Sequence, residues 1–106
     1  MSWPQDEDGD VFRNLEQDGF DFSAEVPIEF YVDVADPANI GFAIDAALEI
    51  YPDAAIGLDV EFFVVQIVAR LTYALVIDAQ KKLTAATAKL GGNCDSWAVM
   101  HEGPEE

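Results

Sequence analysis

One cysteine and one histidine are the residues of this chain best suited to nucleophilic chemistry. A thiol or hydroxyl nucleophile needs a neighbouring base, so such a pair would have to join His101 to Cys94, seven residues earlier, or to one of the three serines. If both lay on one strand, Cys94 and His101 would be on opposite faces and at opposite ends of it. The spacing argues against a nucleophilic dyad, and we predict no catalytic residue.

Oxygen ligands are dense near the N-terminus, where residues 6–10 are Asp-Glu-Asp-Gly-Asp. Zinc sites take three or four Cys and His ligands, more than this chain has. Calcium prefers oxygen, but the calcium-loop pattern counted from Asp6 fails, because Val11 replaces the loop glycine and Gln17 the bidentate glutamate. We expect no metal and no cofactor and favour helix capping for these acids, with a calcium ion as the open alternative.

Other patterns that carry chemistry are absent or uninformative. The chain has no GxxxxGK[ST] or GxGxxG phosphate loop. Pairs of carboxylates can act as acid and base only with a pocket and shifted pKa values, which a sequence does not reveal. Phe62, Phe63 and Trp97 could stack RNA bases, but the predicted strands contain one Arg and no Lys to bind phosphates. We therefore predict neither an enzyme nor a direct nucleic-acid binder.

Acidic side chains dominate the charge and are unevenly distributed. The 106 residues include 21 Asp and Glu against five Lys and Arg, a net charge of −16. Residues 1–61 hold 16 acids and one base, whereas residues 62–106 hold five acids and four bases. This asymmetry either serves solubility or forms a surface for a basic partner. It disfavours binding to anionic membranes.

The composition predicts one folded domain over residues 1–106, with its core at about 8–101. Apolar residues make up 51% of the chain, more than an acidic disordered segment contains. The lone cysteine excludes an intramolecular disulfide. The apolar run 62–69 is too short to span a bilayer, and residues 1–10 lack the basic start of a secretory signal. We expect a cytoplasmic protein.

Two elements are predicted in the first third of the chain. A short helix of two or three turns has Val11, Phe12 and Leu15 on one face and ends at Gly19. Residues 26–34 alternate strictly between apolar and polar, which predicts a half-buried strand. Its apolar face is Ile28, Phe30, Val32 and Val34, and its other face is Glu29, Tyr31 and Asp33.

The rest of the chain predicts two helices and three strands. Asp36-Pro37 supplies a cap and a first-turn proline, and Gly91-Gly92 closes the second of these helices. The elements are a helix over residues 38–50, a short strand over 54–58, a strand over 61–71, a helix over 72–90 and a strand over 95–101. The strand over 61–71 is apolar on both faces, which is typical of a central strand.

Apart from the lead-in helix, the order is strand, helix, strand, strand, helix, strand. Two such units with right-handed crossovers form a four-stranded antiparallel sheet with both helices on one face. We therefore predict an α+β ferredoxin-like sandwich preceded by a short N-terminal helix.

Several short motifs resemble those of the RraB family, regulators that inhibit ribonuclease E. They are Trp3, residues 8–15 (Asp-Gly-Asp-Val-Phe-Arg-Asn-Leu), residues 19–23 (Gly-Phe-Asp-Phe-Ser), the strand 28–33, residues 90–92 (Leu-Gly-Gly) and residues 95–97 (Asp-Ser-Trp). The resemblance covers roughly residues 3–101. It implies a small acidic protein that is not an enzyme and that binds an Arg-rich scaffold region of the ribonuclease.

Two binding hypotheses follow. In the first, an acidic surface engages the Arg-rich segment through charge-assisted hydrogen bonds. Its candidate residues are Asp6, Glu7, Asp8, Asp10, Asp18 and Asp21. In the second, the chain is an acidic homodimeric module of unrelated role, paired through the outer sheet face at Phe62, Val64 and Val68. An enzyme with a pocket around Gln66, Arg70 or His101 is the third class.

Overall fold

Within residues 7–99, which the computed structural model describes, three helices and four strands follow in the predicted order. The elements are α1 (Glu7–Gln17), β1 (Glu25–Val34), α2 (Ile40–Ile50), β2 (Ala55–Leu58), β3 (Phe62–Arg70), α3 (Tyr73–Thr87) and β4 (Gly92–Val99). Short 3₁₀ turns, Pro37–Asn39 and Ala88–Leu90, precede α2 and follow α3. None of the described helices is long and apolar enough to cross a membrane.

The four strands form one antiparallel sheet in the order β2-β3-β1-β4. Helix α2 links β1 to β2, and α3 links β3 to β4, so each crossover passes over one intervening strand. Two interleaved β-α-β units of this kind make up the ferredoxin-like arrangement. The predicted α+β ferredoxin-like fold is confirmed, and β3 is a central strand as its two apolar faces indicated.

The core lies between the helices and one face of the sheet. Ile28, Phe30 and Val32 of β1 are fully buried, as are Phe63 and Val65, which stand opposite Val32 and Phe30 on β3. The helices contribute Ala43 and Ala47 from α2 and Val76, Ala79 and Leu83 from α3. Burying each large apolar side chain stabilises the fold by about 1.5–3 kcal/mol. The predicted inward set of β1 is confirmed.

Local hydrogen bonds end α1 and begin the later helices. Gly19 has φ +81°, and the next residue, Phe20, donates its N–H to the Leu15 carbonyl at 3.0 Å, which completes a left-handed C-terminal cap. Asp36 accepts from the Ala38 N–H at 3.0 Å, and Thr72 Oγ1 accepts from the Leu75 N–H at 3.0 Å. The predicted role of Gly19 is confirmed, whereas Asp36 caps the 3₁₀ turn Pro37–Asn39 rather than α2, whose own N-cap residue is Asn39.

Strand β4 contains a β-bulge next to α3. Tyr31 of β1 pairs with Ser96 and Val32 pairs with Cys94, so Asp95 is the extra residue of the bulge. Thr84 Oγ1 accepts from the Cys94 N–H at 3.0 Å and donates to the Cys94 carbonyl at 3.3 Å. One hydroxyl therefore satisfies the backbone beside the bulge and ties α3 to β4.

Two details differ from the sequence-based expectations. Val11 is exposed rather than buried, because α1 turns Phe12 and Leu15 toward the core and leaves their neighbour at the edge of the buried stripe. Strand β4 begins at Gly92 rather than at residue 95, since Gly92 already pairs with Val34. The predicted strand end at His101 lies outside the described residues.

Candidate functional site

The acidic segment, residues 6–21, consists of α1 and the loop that follows it. Asp6 lies outside the described residues, and Glu7 is the first residue of α1. Asp8 is half-buried, whereas Asp10, Asp18 and Asp21 are exposed. The six predicted binding residues therefore do not form one equivalent group, because Asp8 points into the protein.

Asp8 connects α1 to the body of the fold. Its Oδ1 accepts from Trp97 Nε1 at 2.7 Å, and its Oδ2 accepts from Gln80 Nε2 at 3.4 Å. Trp97 lies on the helix-side face of β4, opposite Phe30, and Gln80 lies on α3. The first of these bonds is short and charge-assisted, the stronger kind of hydrogen bond. The Asp8 carboxylate thereby fixes where the acidic segment sits.

An aromatic cluster under the acidic segment holds it in the same place. Phe12 is fully buried, with ring centroids 5.9 Å from Phe22, 5.9 Å from Tyr73 and 5.5 Å from Trp97. Phe20 packs edge-on against Phe22 at 4.9 Å. Sequence reasoning did not find this cluster. The signal was present in the three phenylalanines within eleven residues, since an exposed binding loop does not need that many apolar side chains.

The exposed carboxylates of the acidic segment differ in their local partners. Asp10 forms an ion pair with Arg13, one turn further along α1. Asp21 Oδ1 accepts from the Ser23 hydroxyl at 2.6 Å and from the Ser23 N–H at 2.9 Å, and these hydrogen bonds hold the pKa of Asp21 below its ordinary value. Asp10, Asp18 and Asp21 therefore present their carboxylates to solvent from a helix and loop that are anchored to the core.

A second candidate surface is the open sheet face, the side of the sheet opposite the helices. It contains Glu25, Pro27, Glu29, Tyr31 and Asp33 of β1, Phe62, Val64, Gln66, Val68 and Arg70 of β3, and Ser96 and Ala98 of β4. These residues are half-buried or exposed, whereas their neighbours on the inner face of β1 and β3 include five fully buried side chains. Val68 is 63% exposed, unusual for a valine in a central strand.

Tyr31 occupies the centre of the open sheet face. Its ring meets that of Phe62 edge-on at 6.1 Å, and Val64 and Ser96 stand opposite it on the two neighbouring strands. Its hydroxyl donates to Glu29 Oε1 at 2.9 Å, and this bond raises the pKa of Tyr31 because it stabilises the protonated phenol. The ring is therefore held in a defined position.

A family model described as regulator of ribonuclease activity B, RraB, matches residues 5–99. This chain belongs to the RraB family. The matched range includes both the acidic segment from residue 6 onward and the whole open sheet face. A search of the curated proteins found no match. The resemblance seen in the sequence is confirmed, and the family description assigns the RraB proteins to the regulation of ribonuclease activity.

In this RraB chain, Arg13 belongs to the acidic segment and Arg70 to the open sheet face, whereas the three lysines lie on or just after α3. Lys81 and Lys82 are exposed on α3, where Lys82 pairs with Asp78 at 3.0 Å. Lys89 follows in the turn after α3. The exposed acids among the described residues up to Glu61 lie on α1, β1 and α2 and also in the loops, at Asp18, Asp21, Asp36, Asp53, Asp59 and Glu61.

Neither candidate surface offers an evident catalytic centre in the part of the chain that the structure describes. Cys94 is buried, and Thr84 holds its backbone. Within residues 7–99, no three side chains of His, Cys, Asp or Glu are grouped as metal ligands would be. His101 and Asp6, which the dyad and calcium alternatives require, lie outside that range.

Proposed function

We propose that this chain inhibits a ribonuclease of the ribonuclease E type by binding the enzyme directly, and that it is not itself an enzyme. The observation that carries the proposal is the RraB family match over residues 5–99. The charge supports it, because a chain of net charge −16 that regulates RNA cleavage is repelled by RNA itself. Its natural ligand in such a system is a basic protein segment.

The contact that we propose is between the acidic segment and an Arg-rich segment of the ribonuclease. Exposed Asp10, Asp18 and Asp21 face solvent and would pair with arginines. Asp6 and Glu7 precede them in the sequence and belong to the same proposed set. Asp8 would act indirectly, since its carboxylate accepts from Trp97 and positions α1. Arginine forms bidentate, charge-assisted bonds with carboxylates, which gives the pairing its geometry.

Inhibition would follow from competition for the same arginines. An Arg-rich segment binds RNA by neutralising phosphates, and carboxylates that occupy those arginines displace RNA from them. A single exposed ion pair is worth about 0.2–1 kcal/mol, so useful affinity requires several pairs at once. Long-range attraction would make association fast and would weaken as salt shortens the Debye length.

The test compares two triple variants in an RNA cleavage assay with the full-length ribonuclease. Asp10→Asn, Asp18→Asn and Asp21→Asn neutralise the acidic segment. Asp45→Asn, Glu49→Gln and Asp53→Asn make the same change of charge at exposed positions on and after α2. The first triple variant should weaken inhibition about 10-fold, as expected for several surface ion pairs, and the second should weaken it much less.

Equal loss of inhibition in both triple variants would show that total charge, not the acidic segment, controls binding. Full inhibition by the first variant would contradict the proposed contact. Absence of any effect of the unmodified chain on the ribonuclease would contradict the proposed function itself.

A further inference from the structure

The open sheet face carries a regular row of carboxylates along β1. Glu25, Glu29 and Asp33 are spaced four residues apart, so all three lie on this face at intervals of about 13 Å. Among the side chains of this face that the structure describes, Arg70 is the cation, and it stands opposite Glu25 at one end of the row. Glu29 and Asp33 lie further along, toward the aromatic pair.

Aromatic and apolar side chains lie between these carboxylates. Tyr31 follows Glu29 by two residues on the same face and precedes Asp33 by two, and Asp33 stands directly opposite Phe62. The rings of Tyr31 and Phe62 are 6.1 Å apart, and the hydrogen bond from Tyr31 to Glu29 holds both groups in place. A half-buried ring on an open sheet face, flanked by two carboxylates, is a site for a planar cation.

Arginine is the side chain that uses all of these features. Its guanidinium stacks on aromatic rings and also donates to carboxylates in a planar fork, whereas lysine offers a compact, strongly hydrated charge. The aliphatic stem of arginine would cover apolar surface such as Val64 and Val68. The chemistry of the face therefore favours a segment that contains arginine.

A second copy of the chain fits the face less well. A symmetric pairing through Phe62, Val64 and Val68 would bring two rows of Glu25, Glu29 and Asp33 together, and like charges across an interface cost several kcal/mol. The predicted homodimer would have to overcome this repulsion in addition to the net charge of −16 on each copy.

We infer that the open sheet face is a second binding surface, one that takes an arginine-containing segment of a protein partner, with a guanidinium on Tyr31 and Phe62 between Glu29 and Asp33. This inference deepens the proposed function, on which its choice of a basic protein partner rests. It adds a surface that recognises arginine rather than positive charge in general. The aromatic pair of the acidic segment, Phe20 and Phe22, packs against the hydrophobic core, so that segment would not make the distinction.

The probe is a synthetic arginine–serine repeat peptide, compared with the same peptide carrying lysine in place of arginine. A chain of net charge −16 attracts any cation, so binding of the peptide alone does not test the inference. The test is where on the chain the peptide binds. Backbone amide shifts of the full isotope-labelled chain should change most at Tyr31, Phe62 and Val64. The arginine peptide should bind about two- to five-fold more tightly than the lysine peptide.

Four variants sharpen the assignment. Glu29→Gln with Asp33→Asn should weaken arginine-peptide binding about three- to ten-fold, whereas the charge-matched Asp45→Asn with Glu49→Gln should change it by less than about two-fold. Tyr31→Leu keeps an apolar side chain and should remove the preference for arginine over lysine. Tyr31→Phe keeps the ring and should retain most of that preference, which separates a loss of stacking from a loss of folding.

Three results would overturn the inference: amide shifts confined to residues 7–21, equal binding of the two peptides, or an unchanged arginine preference in Tyr31→Leu. A dimer in sedimentation equilibrium that Val68→Glu disrupts would also overturn it, because a second copy would then occupy the face. Binding of the arginine peptide at this face by a chain that fails to inhibit the ribonuclease would refute the proposed function and leave the inference standing.

Discussion

On β1, Phe30 points toward the helices and is fully buried, whereas its neighbour Tyr31 lies on the open sheet face beside Glu29 and Phe62. The inner face of β1 is apolar along its length, and the outer face alternates carboxylates with Pro27 and Tyr31. Because strand side chains alternate strictly, one strand can stabilise the fold with one set of residues and present chemistry with the other. The comparison teaches that the two sets can be changed separately.

The largest expected effect is on the inner face. Phe30→Ala should lower the free energy of unfolding by about 3–5 kcal/mol, because it removes a fully buried ring and leaves a cavity. Urea denaturation followed by circular dichroism measures the change. The control, Val68→Ala on the open sheet face, should stay within about 0.5 kcal/mol of the unmodified chain. Similar losses in the two variants would contradict the division between the faces.

A smaller loss is expected where α3 packs on the start of β4. A methyl group at Gly92 would overlap the side chain of fully buried Thr87, whose Oγ1 donates to the Leu83 carbonyl at 2.7 Å. Gly92→Ala should therefore cost about 1–3 kcal/mol of stability through overpacking. The control is Gly41→Ala, because nothing lies near a methyl group there, and it should not destabilise the fold. A neutral Gly92→Ala would show that this packing is looser than the structure indicates.

The attachment of the acidic segment gives the next effect. Trp97→Phe keeps an aromatic ring beside Phe12 but removes the N–H that Asp8 accepts at 2.7 Å, so it should cost about 1 kcal/mol. The loss should be local, with faster hydrogen exchange at the amides of α1 and little change in β1 and β3. Asp18→Asn, at an exposed position, is the control. Unchanged exchange in α1 would mean that the aromatic cluster alone positions the segment.

The smallest effect concerns one exposed carboxylate. The hydrogen bonds from Ser23 lower the pKa of Asp21 from its ordinary value of 3.8, so their contribution is present above that value and is lost as pH falls through the lowered pKa. Ser23→Ala removes the hydroxyl bond and should raise the pKa of Asp21 toward the ordinary value. Titration followed by carboxyl-carbon NMR measures the shift. If the pKa of Asp21 is the same in Ser23→Ala as in the unmodified chain, the hydroxyl bond from Ser23 to Asp21 is not formed in solution.

The pattern of the sequence predicted the fold well because the elements are strongly periodic. The alternation in β1 and the two apolar faces of β3 specified which strands are central and which side chains face the helices. The bulge at Asp95 and the early start of β4 at Gly92 were missed. Both depend on contacts with Thr84 and Val34, which are distant in sequence and leave no local signal.

The candidate surfaces were predicted only in part. The charge count located the acidic segment but did not distinguish Asp8 from the neighbouring acids. Only the hydrogen bond from Trp97 to Asp8 in the folded chain shows that Asp8 has a different role. The outward side of Tyr31 and the apolar outer face of β3 were evident from alternation. The closeness of Phe62 on β3 to Tyr31 and Asp33 on β1 depends on the register between the two strands, which the sequence pattern did not specify.

Direct binding of the chain to the ribonuclease, measured without RNA, tests the central claim most directly. Isothermal titration of the purified full-length ribonuclease with the chain, repeated at low and raised salt, gives the affinity and its salt dependence. The account predicts binding in the absence of RNA that weakens steadily as salt rises. No binding, binding only when RNA is added, or an affinity that does not change with salt would contradict it.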